Sequence, residues 1–163
     1  MNRLLTDRIN EHSPYDVEYD DELLVFTTEH GLTYAVDFDD DANPYFTAYW
    51  LNLRNVYGLP SPSDKKVAQT LICIVEEFFR QNSDVLLYIC SSADGHQAQR
   101  ARLFLRWFNG AEQQKLYVSR TVEVKGEGKM EYVALIAQRN RPDIDKILLR
   151  FDEEVAMFNS MKP

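Results

Sequence analysis

The chain has 163 residues with a formal net charge of −8, and 45% of the residues are hydrophobic. This length and balance are typical of one ordinary soluble domain with its own core and exclude a disordered chain. No apolar run approaches the ~20 residues of a membrane-spanning helix, and the N-terminus lacks the apolar stretch of a signal peptide, so no contact with a membrane is expected.

Negative charge is concentrated in the first third of the chain. Eleven Asp and Glu residues, and no Lys or Arg, lie between Arg8 and Arg54. Binding to nucleic acid needs a basic stripe that neutralises phosphates, so nucleic acid is not expected as a partner. Two interpretations of the acidic stretch stay open: it binds a cationic partner, or it is a solvated surface that keeps the protein soluble.

The residues that commonly bind metals form no recognisable metal motif. Cys73 and Cys90 both lie in apolar runs, which argues against a disulfide framework and a zinc cluster and favours a cytoplasmic protein. Four residues have the alternate spacing of a calcium loop: Asp37, Asp39, Asp41 and Asn43. Ala42 and Ala48 stand where that loop requires glycine and glutamate. No metal and no cofactor is therefore expected.

The first half of the chain predicts strands. Residues 1–14 are expected to form a loosely ordered N-terminal arm. Alternating or continuous apolar runs then predict four strands, at Tyr15–Tyr19, Leu23–Thr28, Leu32–Phe38 and Tyr45–Tyr57. Gly31 lies in a tight turn between the second and third strands, where a positive φ is tolerated. The fourth strand is apolar on both faces, so helices or a second subunit should cover both sides.

The second half predicts three helices and three strands. The helices are predicted at residues 64–81, with Ser63 or Asp64 as N-cap, at 94–109, and at 142–161, with Pro142 in the first turn. The strands are predicted at Asp84–Cys90, whose segment Val85–Ile89 should be fully buried, at Lys115–Lys125 and at Lys129–Gln138. The order ββββ-α-β-α-ββ-α predicts one α+β domain, residues 1–163, with a curved and largely antiparallel sheet.

The segment between the buried strand and the second predicted helix has two interpretations. It offers hydrogen-bond donors and cations beside a helix N-terminus, a typical setting for an anion: Ser91, Ser92, His96 and Arg100. Alternatively it is a structural connection, since Asp94 is itself a good N-cap and Gly95 is the only glycine in the loop, where phosphate-binding loops use several. The cysteine-phosphatase signature is absent, because His96 stands six residues after Cys90, where that chemistry needs arginine. No catalytic residue can be assigned.

Self-association is expected through apolar side chains. Arg100, Leu103 and Trp107 share one flank of the second predicted helix, and Trp50 lies in the two-sided apolar strand. Three predicted helices are few for a sheet of about seven strands, so an uncovered face would favour a homodimer. The alternative is a strongly bent sheet that covers its own apolar surface in a monomer.

The segment Tyr88-Ile-Cys-Ser-Ser-Ala-Asp-Gly95, followed by Arg100, Arg102-Leu-Phe104 and Arg106-Trp-Phe108, resembles the hallmark segment of a family of small bacterial proteins. That family is familiar from gut anaerobes and is known as a domain of unknown function. The resemblance extends over residues 15–140 and implies a bacterial cytoplasmic protein, but it implies no activity.

The function expected from the sequence is a non-enzymatic protein-interaction or regulatory module, because the sequence contains no recognisable catalytic motif. The alternative is an enzyme or a binder of a small anion, such as phosphate or a nucleotide, that uses residues 90–100.

Overall fold

The computed structural model describes residues 1–60, 62, 64–91, 105–106, 108–126 and 129–161. The helices and strands in these residues are α1 (Thr6–Asn10), β1 (Glu18–Asp20), β2 (Leu23–Thr27), β3 (Thr33–Asp40), β4 (Ala48–Asn55), α2 (Lys65–Gln81), β5 (Val85–Ser91), α3 (Ala111–Leu116), β6 (Tyr117–Gly126), β7 (Lys129–Gln138) and α4 (Ile144–Ser160). None of the helices in the described ranges is long and apolar enough to cross a membrane.

The strands form one open seven-stranded sheet with the order β1-β2-β3-β4-β5-β7-β6. The pairs β1–β2, β2–β3, β5–β7 and β6–β7 are antiparallel. In the β2–β3 hairpin, Thr27 pairs with Thr33, and Gly31 has the positive φ, 78°, that its turn requires. The predicted α+β class with a largely antiparallel sheet is confirmed.

Contacts divide the chain into two compact units, and the first comprises Met1–Asp39 and Leu51–Ser83. Its core contains a stack of three aromatic rings. The ring of Phe26 lies between Tyr15, at a centroid distance of 6.1 Å, and Tyr34, at 5.6 Å. Such stacking adds to the stability that comes from removing the rings from water.

Helix α2 supplies the rest of the first unit's core. Its apolar residues recur at helical spacing and are buried: Val67, Leu71, Ile74, Val75 and Phe78. The side chain of Asp64 accepts a hydrogen bond from the backbone N–H of Lys66 at 2.9 Å and caps the helix N-terminus. The prediction of a helix here, with Asp64 as one of two candidate caps, is confirmed.

The second unit comprises Asp40–Trp50 and Asp84–Pro163. Its core lies between the sheet and α4, whose buried residues are Ile147 and Phe151. The strand residues of this cluster are Ala48, Val85, Leu87, Val124, Val133, Leu135 and Ala137. Because these side chains come from four different strands and one helix, they fix the packing of α4 on one face of this unit's sheet.

Two of the predicted strands are less buried than expected. Ile89 is 48% exposed, although the sequence predicts a fully buried strand over Val85–Ile89. It lies on the same face as Val85 and Leu87 but beyond the core cluster that covers them. The fourth predicted strand, Tyr45–Tyr57, shrinks to β4, and both terminal tyrosines of the predicted strand are exposed.

The last helix begins later than predicted. Asp143 has a non-helical backbone, with φ −100° and ψ 14°, so Pro142 precedes the helix instead of lying in its first turn. The guanidinium of Arg141 donates two hydrogen bonds to the Asp143 carboxylate, at 3.0 and 3.1 Å, and lowers the pKa of that carboxyl. This pair fixes the chain direction just before the helix.

Residues 109–116 also differ from the prediction. Helix α3 occupies the start of the strand predicted at Lys115–Lys125, and β6 begins at Tyr117. A helix of six residues is too short to show an amphipathic period, which explains why the sequence pattern did not indicate it. The helix predicted at residues 94–109 lies mostly outside the described residues. Within that range, the described residues Leu105, Arg106 and Phe108 are helical.

The N-terminal residues are held on the first unit. Leu4 and Ile9 are each 1% exposed, and Thr6–Asn10 forms α1 where the sequence predicts a loose arm. The backbone N–H of Leu5 donates to Oε2 of the buried Glu77 at 2.7 Å. The N–H of Asn2 donates to Oδ1 of Asn82 at 2.8 Å. These bonds to Glu77 of α2 and to Asn82, its C-cap, join residues more than seventy positions apart, so no local pattern could indicate them.

Candidate functional site

Most of the candidate residues from the sequence lie outside the described residues. These are Ser92, His96, Arg100, Leu103 and Trp107. Ser91 is the last residue of β5, where its backbone pairs with Glu131 of β7. The structure therefore leaves the anion-binding interpretation of residues 90–100 as a prediction.

Trp50 is the candidate interface residue that the structure describes. It is partly buried against the core cluster of the second unit. Its indole N–H donates to Oδ1 of Asp41 at 3.1 Å, and Oδ2 of Asp41 accepts from the side chain of Asn43 at 2.8 Å. Both oxygens of this carboxylate, which the sequence placed in a calcium-like spacing, thus have donors within the chain.

An acidic groove of about 620 Å³ lies on the first unit. Its lining residues are Pro14, Tyr15, Asp16, Glu18, Tyr19, Asp20, Val25, Phe26 and Thr27. Two other cavities on the described residues are smaller, about 300 and 280 Å³. Its walls are the segment that leads into β1, β1 itself and the last three residues of β2.

The groove opens where the pairing of β1 with β2 stops. Glu18 opposite Val25 is the last pair, although β2 continues through Thr27. The side chain of Asn10 accepts from the N–H of Val17 at 2.8 Å and donates to its carbonyl at 3.0 Å. These bonds join the chain just before β1 to Asn10, the last residue of α1. Two residues of β2 are left at a sheet edge.

The lining of the groove carries negative charge. Asp16, Glu18 and Asp20 are exposed, and no Lys or Arg is among the lining residues. A cation of the chain lies close to this lining: the guanidinium of Arg3 is 3.8 Å from the centroid of the Tyr19 ring. Burial raises the pKa of the Tyr19 hydroxyl, which donates to the carbonyl of Leu4 at 2.9 Å. The groove lining therefore favours cationic groups.

Three potential ligating side chains meet beside the groove: Glu29, His30 and Asp64, named here the His30 cluster. One ligating atom from each lies within 4.8 Å of the other two. Glu29 and His30 come from the β2–β3 turn, which the Thr28 hydroxyl holds by accepting from the N–H of His30 at 3.2 Å. Asp64 comes from the N-cap of α2. Tertiary structure alone brings the turn and the cap together.

Tyr15 connects the groove with the His30 cluster. It lines the groove, and its hydroxyl donates to Oδ2 of Asp64 at 2.6 Å. Burial, together with this bond to the Asp64 carboxylate, raises the pKa of Tyr15 to about 12. At neutral pH the hydroxyl therefore stays protonated and acts as a donor that orients Asp64.

Cys73 is not suited to nucleophilic chemistry. It is partly buried in α2, and burial raises the pKa of its thiol to about 11. The thiolate is the reactive form of cysteine, so a raised pKa leaves little of it at neutral pH.

Sequence reasoning missed both features, for different reasons. Asp16, Glu18 and Asp20 alternate with Val17 and Tyr19, so a period of two was available to indicate one acidic strand face. The His30 cluster had no such signal, since Asp64 is far from His30 in the chain. The sequence instead singled out His96 as the histidine placed for chemistry.

Comparison with family models places residues 63–153, more than half of the chain, in a single family. The match begins after the groove and includes Asp64, whereas the resemblance seen in the sequence was expected to begin at residue 15. No curated protein and no solved structure matches the chain. The chain belongs to the family described as "Family of unknown function (DUF6169)".

Proposed function

We propose that the protein is an interaction module that binds an extended, basic segment of a partner protein in the acidic groove. The observation that carries this proposal is the coincidence of an open sheet edge with an acidic lining. Phe26 and Thr27 have no β1 partner, and Asp16, Glu18 and Asp20 stand beside them. Each feature alone is common on protein surfaces.

The open edge favours a strand as the occupant. An extended peptide that adds to a sheet edge gains main-chain hydrogen bonds, and its alternate side chains supply specificity. Thr27 is exposed and lies at the end of β2, so the edge is accessible there. The groove volume, about 620 Å³, accommodates a few residues of peptide beside this edge.

The charge favours a basic occupant. Asp16, Glu18 and Asp20 are spaced by two residues, the spacing at which side chains of an extended chain point to the same side. A segment in which arginine or lysine alternates with apolar residues would place its cations opposite these carboxylates. Complementary charge of this kind increases the association rate and selects the partner more than it adds affinity.

Peptide binding tests the proposal. A short fluorescent peptide with arginine alternating with valine should bind, and an otherwise identical peptide with glutamate in place of arginine should not. Neutralising the groove in the variant Asp16→Asn/Glu18→Gln/Asp20→Asn should weaken binding about tenfold, since three exposed charge pairs contribute a few tenths of a kcal/mol to ~1 kcal/mol each. Fluorescence anisotropy measures both affinities.

A matched control separates the groove from net charge. The variant Glu112→Gln/Glu123→Gln/Asp145→Asn removes three exposed carboxylates of the second unit and has the same net charge as the groove variant. It should bind the basic peptide like the parent protein. Equal weakening in the two variants would show that only overall charge attracts the peptide, and the proposed site would be wrong.

We also propose that the protein forms a homodimer, with three exposed apolar residues just after β4 as its contact. Val56, Tyr57 and Leu59 are 42%, 71% and 50% exposed. Sedimentation equilibrium at micromolar concentration should give twice the monomer mass of 19.0 kDa, and Tyr57→Ser should return the monomer. Leu116→Ser is the control, because Leu116 is 63% exposed but lies outside the proposed contact. A 19.0 kDa parent species would contradict the dimer.

We propose the cytoplasm of a bacterium as the location, which the sequence resemblance and the placement of both cysteines in apolar runs favour. The competing function is the anion binder or enzyme at residues 90–100. A thermal shift with phosphate or a nucleotide that Arg100→Ala abolishes would favour that alternative, because a ligand stabilises only the state that binds it.

A further inference from the structure

The His30 cluster has the composition of a transition-metal site. It supplies one imidazole nitrogen and two carboxylate oxygens, a set of three protein ligands that Zn²⁺ commonly accepts with water in the fourth position. A site for Mg²⁺ or Ca²⁺ would use oxygen ligands alone. The imidazole therefore selects zinc and its neighbours over the alkaline-earth ions.

The geometry requires little movement to close around an ion. Four ligands placed 2.0–2.1 Å from zinc lie about 3.3 Å from one another. Oε1 of Glu29 lies 3.9 Å from Nε2 of His30, and all three ligating atoms lie within 4.8 Å. Glu29 and His30 are 54% and 43% exposed, so their side chains are free to rotate by the remaining distance.

One ligand is already oriented from outside the cluster. Tyr15 donates to Oδ2 of Asp64 at 2.6 Å, while the N–H of Lys66 donates to Oδ1. Hydrogen bonds to a ligating carboxylate are the usual second layer of a metal site, since they reduce the freedom of the ligand. A carboxylate oxygen has two lone pairs, so Asp64 keeps acceptor capacity for an ion.

A cation of the chain competes for the same carboxylates. The ammonium group of Lys66 lies 3.1 Å from Oε2 of Glu29. We propose that Glu29, His30 and Asp64 form a surface site for Zn²⁺, in which the ion displaces the Lys66 ammonium from Glu29. The site does not require a peptide in the groove, because none of its three ligands lines the groove; Tyr15 is the residue that contacts both.

Titration calorimetry with ZnCl₂ on the full chain tests the site. His30→Ala should weaken zinc binding at least about tenfold, since even outer partners of a metal site are worth about 10–100-fold in affinity. Lys66→Met should tighten binding about twofold to fivefold, because it removes the competing ammonium. An increase in affinity on losing a side chain is not produced by a folding defect.

Two matched variants serve as controls. Lys65→Met removes the neighbouring exposed lysine, and His12→Ala removes another exposed histidine; both should bind zinc like the parent. MgCl₂ in place of ZnCl₂ should bind far more weakly. Zinc affinity that is unchanged in His30→Ala, or that rises equally in Lys65→Met and Lys66→Met, would overturn the proposal.

Discussion

Replacing Phe78 by alanine is expected to lower the free energy of unfolding by about 4 kcal/mol, the largest effect of any substitution considered for this protein. Phe78 lies on the core face of α2 and is 0% exposed. Its ring stacks on Phe38 at 5.4 Å and meets the edge of Phe79 at 5.1 Å. Alanine leaves a cavity that rigid neighbours on a strand and a helix cannot fill.

Urea denaturation measures this effect, with Leu149→Ala as control. Leu149 is also helical but is 58% exposed, so its truncation should change the free energy of unfolding by less than about 0.5 kcal/mol. A loss below about 1 kcal/mol for Phe78→Ala would mean that the site collapses around the smaller side chain, and the packing described for the first unit would be wrong.

The second large effect is expected at Glu77, whose replacement by alanine should cost about 3 kcal/mol. This side chain is 0% exposed and accepts hydrogen bonds from three groups. The Leu5 backbone N–H and the Arg80 Nε–H donate at 2.7 Å, and the Gln81 side chain donates at 3.1 Å. Without the carboxylate, the Leu5 N–H loses its partner at the start of α1.

Hydrogen exchange distinguishes this role from general destabilisation. In Glu77→Ala the amides of α1 should exchange faster than those of β7, because the N-terminal residues are released first. Glu11→Ala, which removes an exposed glutamate next to α1, should leave both rates unchanged. Equal acceleration of α1 and β7 in Glu77→Ala would contradict a specific tether.

The elements with a strong local pattern could be predicted from the sequence. Helix α2 shows apolar residues at helical spacing over four turns and a good N-cap, and β7 was predicted with the bounds that it has, Lys129–Gln138. In both, the periodicity of buried side chains repeats often enough to decide the element.

The burial of the N-terminal residues and the exposure of Ile89 could not be predicted from the apolar pattern of the sequence. Leu4 and Ile9 are too few to define a period, and their burial depends on Glu77 and Asn82 far along the chain. Ile89 is as apolar as its neighbours in β5, but its exposure depends on where the core cluster ends. Tertiary contacts decide both outcomes.

The same contrast applies to the site. The acidic stretch is visible in the sequence, but the open edge of β2 depends on where its pairing with β1 stops, at Glu18 and Val25. The approach of His30 to Asp64 depends on how the β2–β3 turn packs near the N-terminus of α2. No spacing of residues in the sequence indicates either the open edge or the cluster.

We propose that the chain folds as one domain, because β4 contributes residues to both compact units. Denaturation of the parent protein should then show a single transition when followed by tryptophan fluorescence and by circular dichroism.

The most direct test of the central claim is a map of backbone amide chemical shifts as the basic peptide is added. The proposed binding mode predicts the largest changes at Glu18–Asp20 and Val25–Thr27, which flank the open edge. It also predicts slower hydrogen exchange there, since a bound strand takes up free main-chain groups. Changes confined to other residues, or no change at saturating peptide, would contradict it.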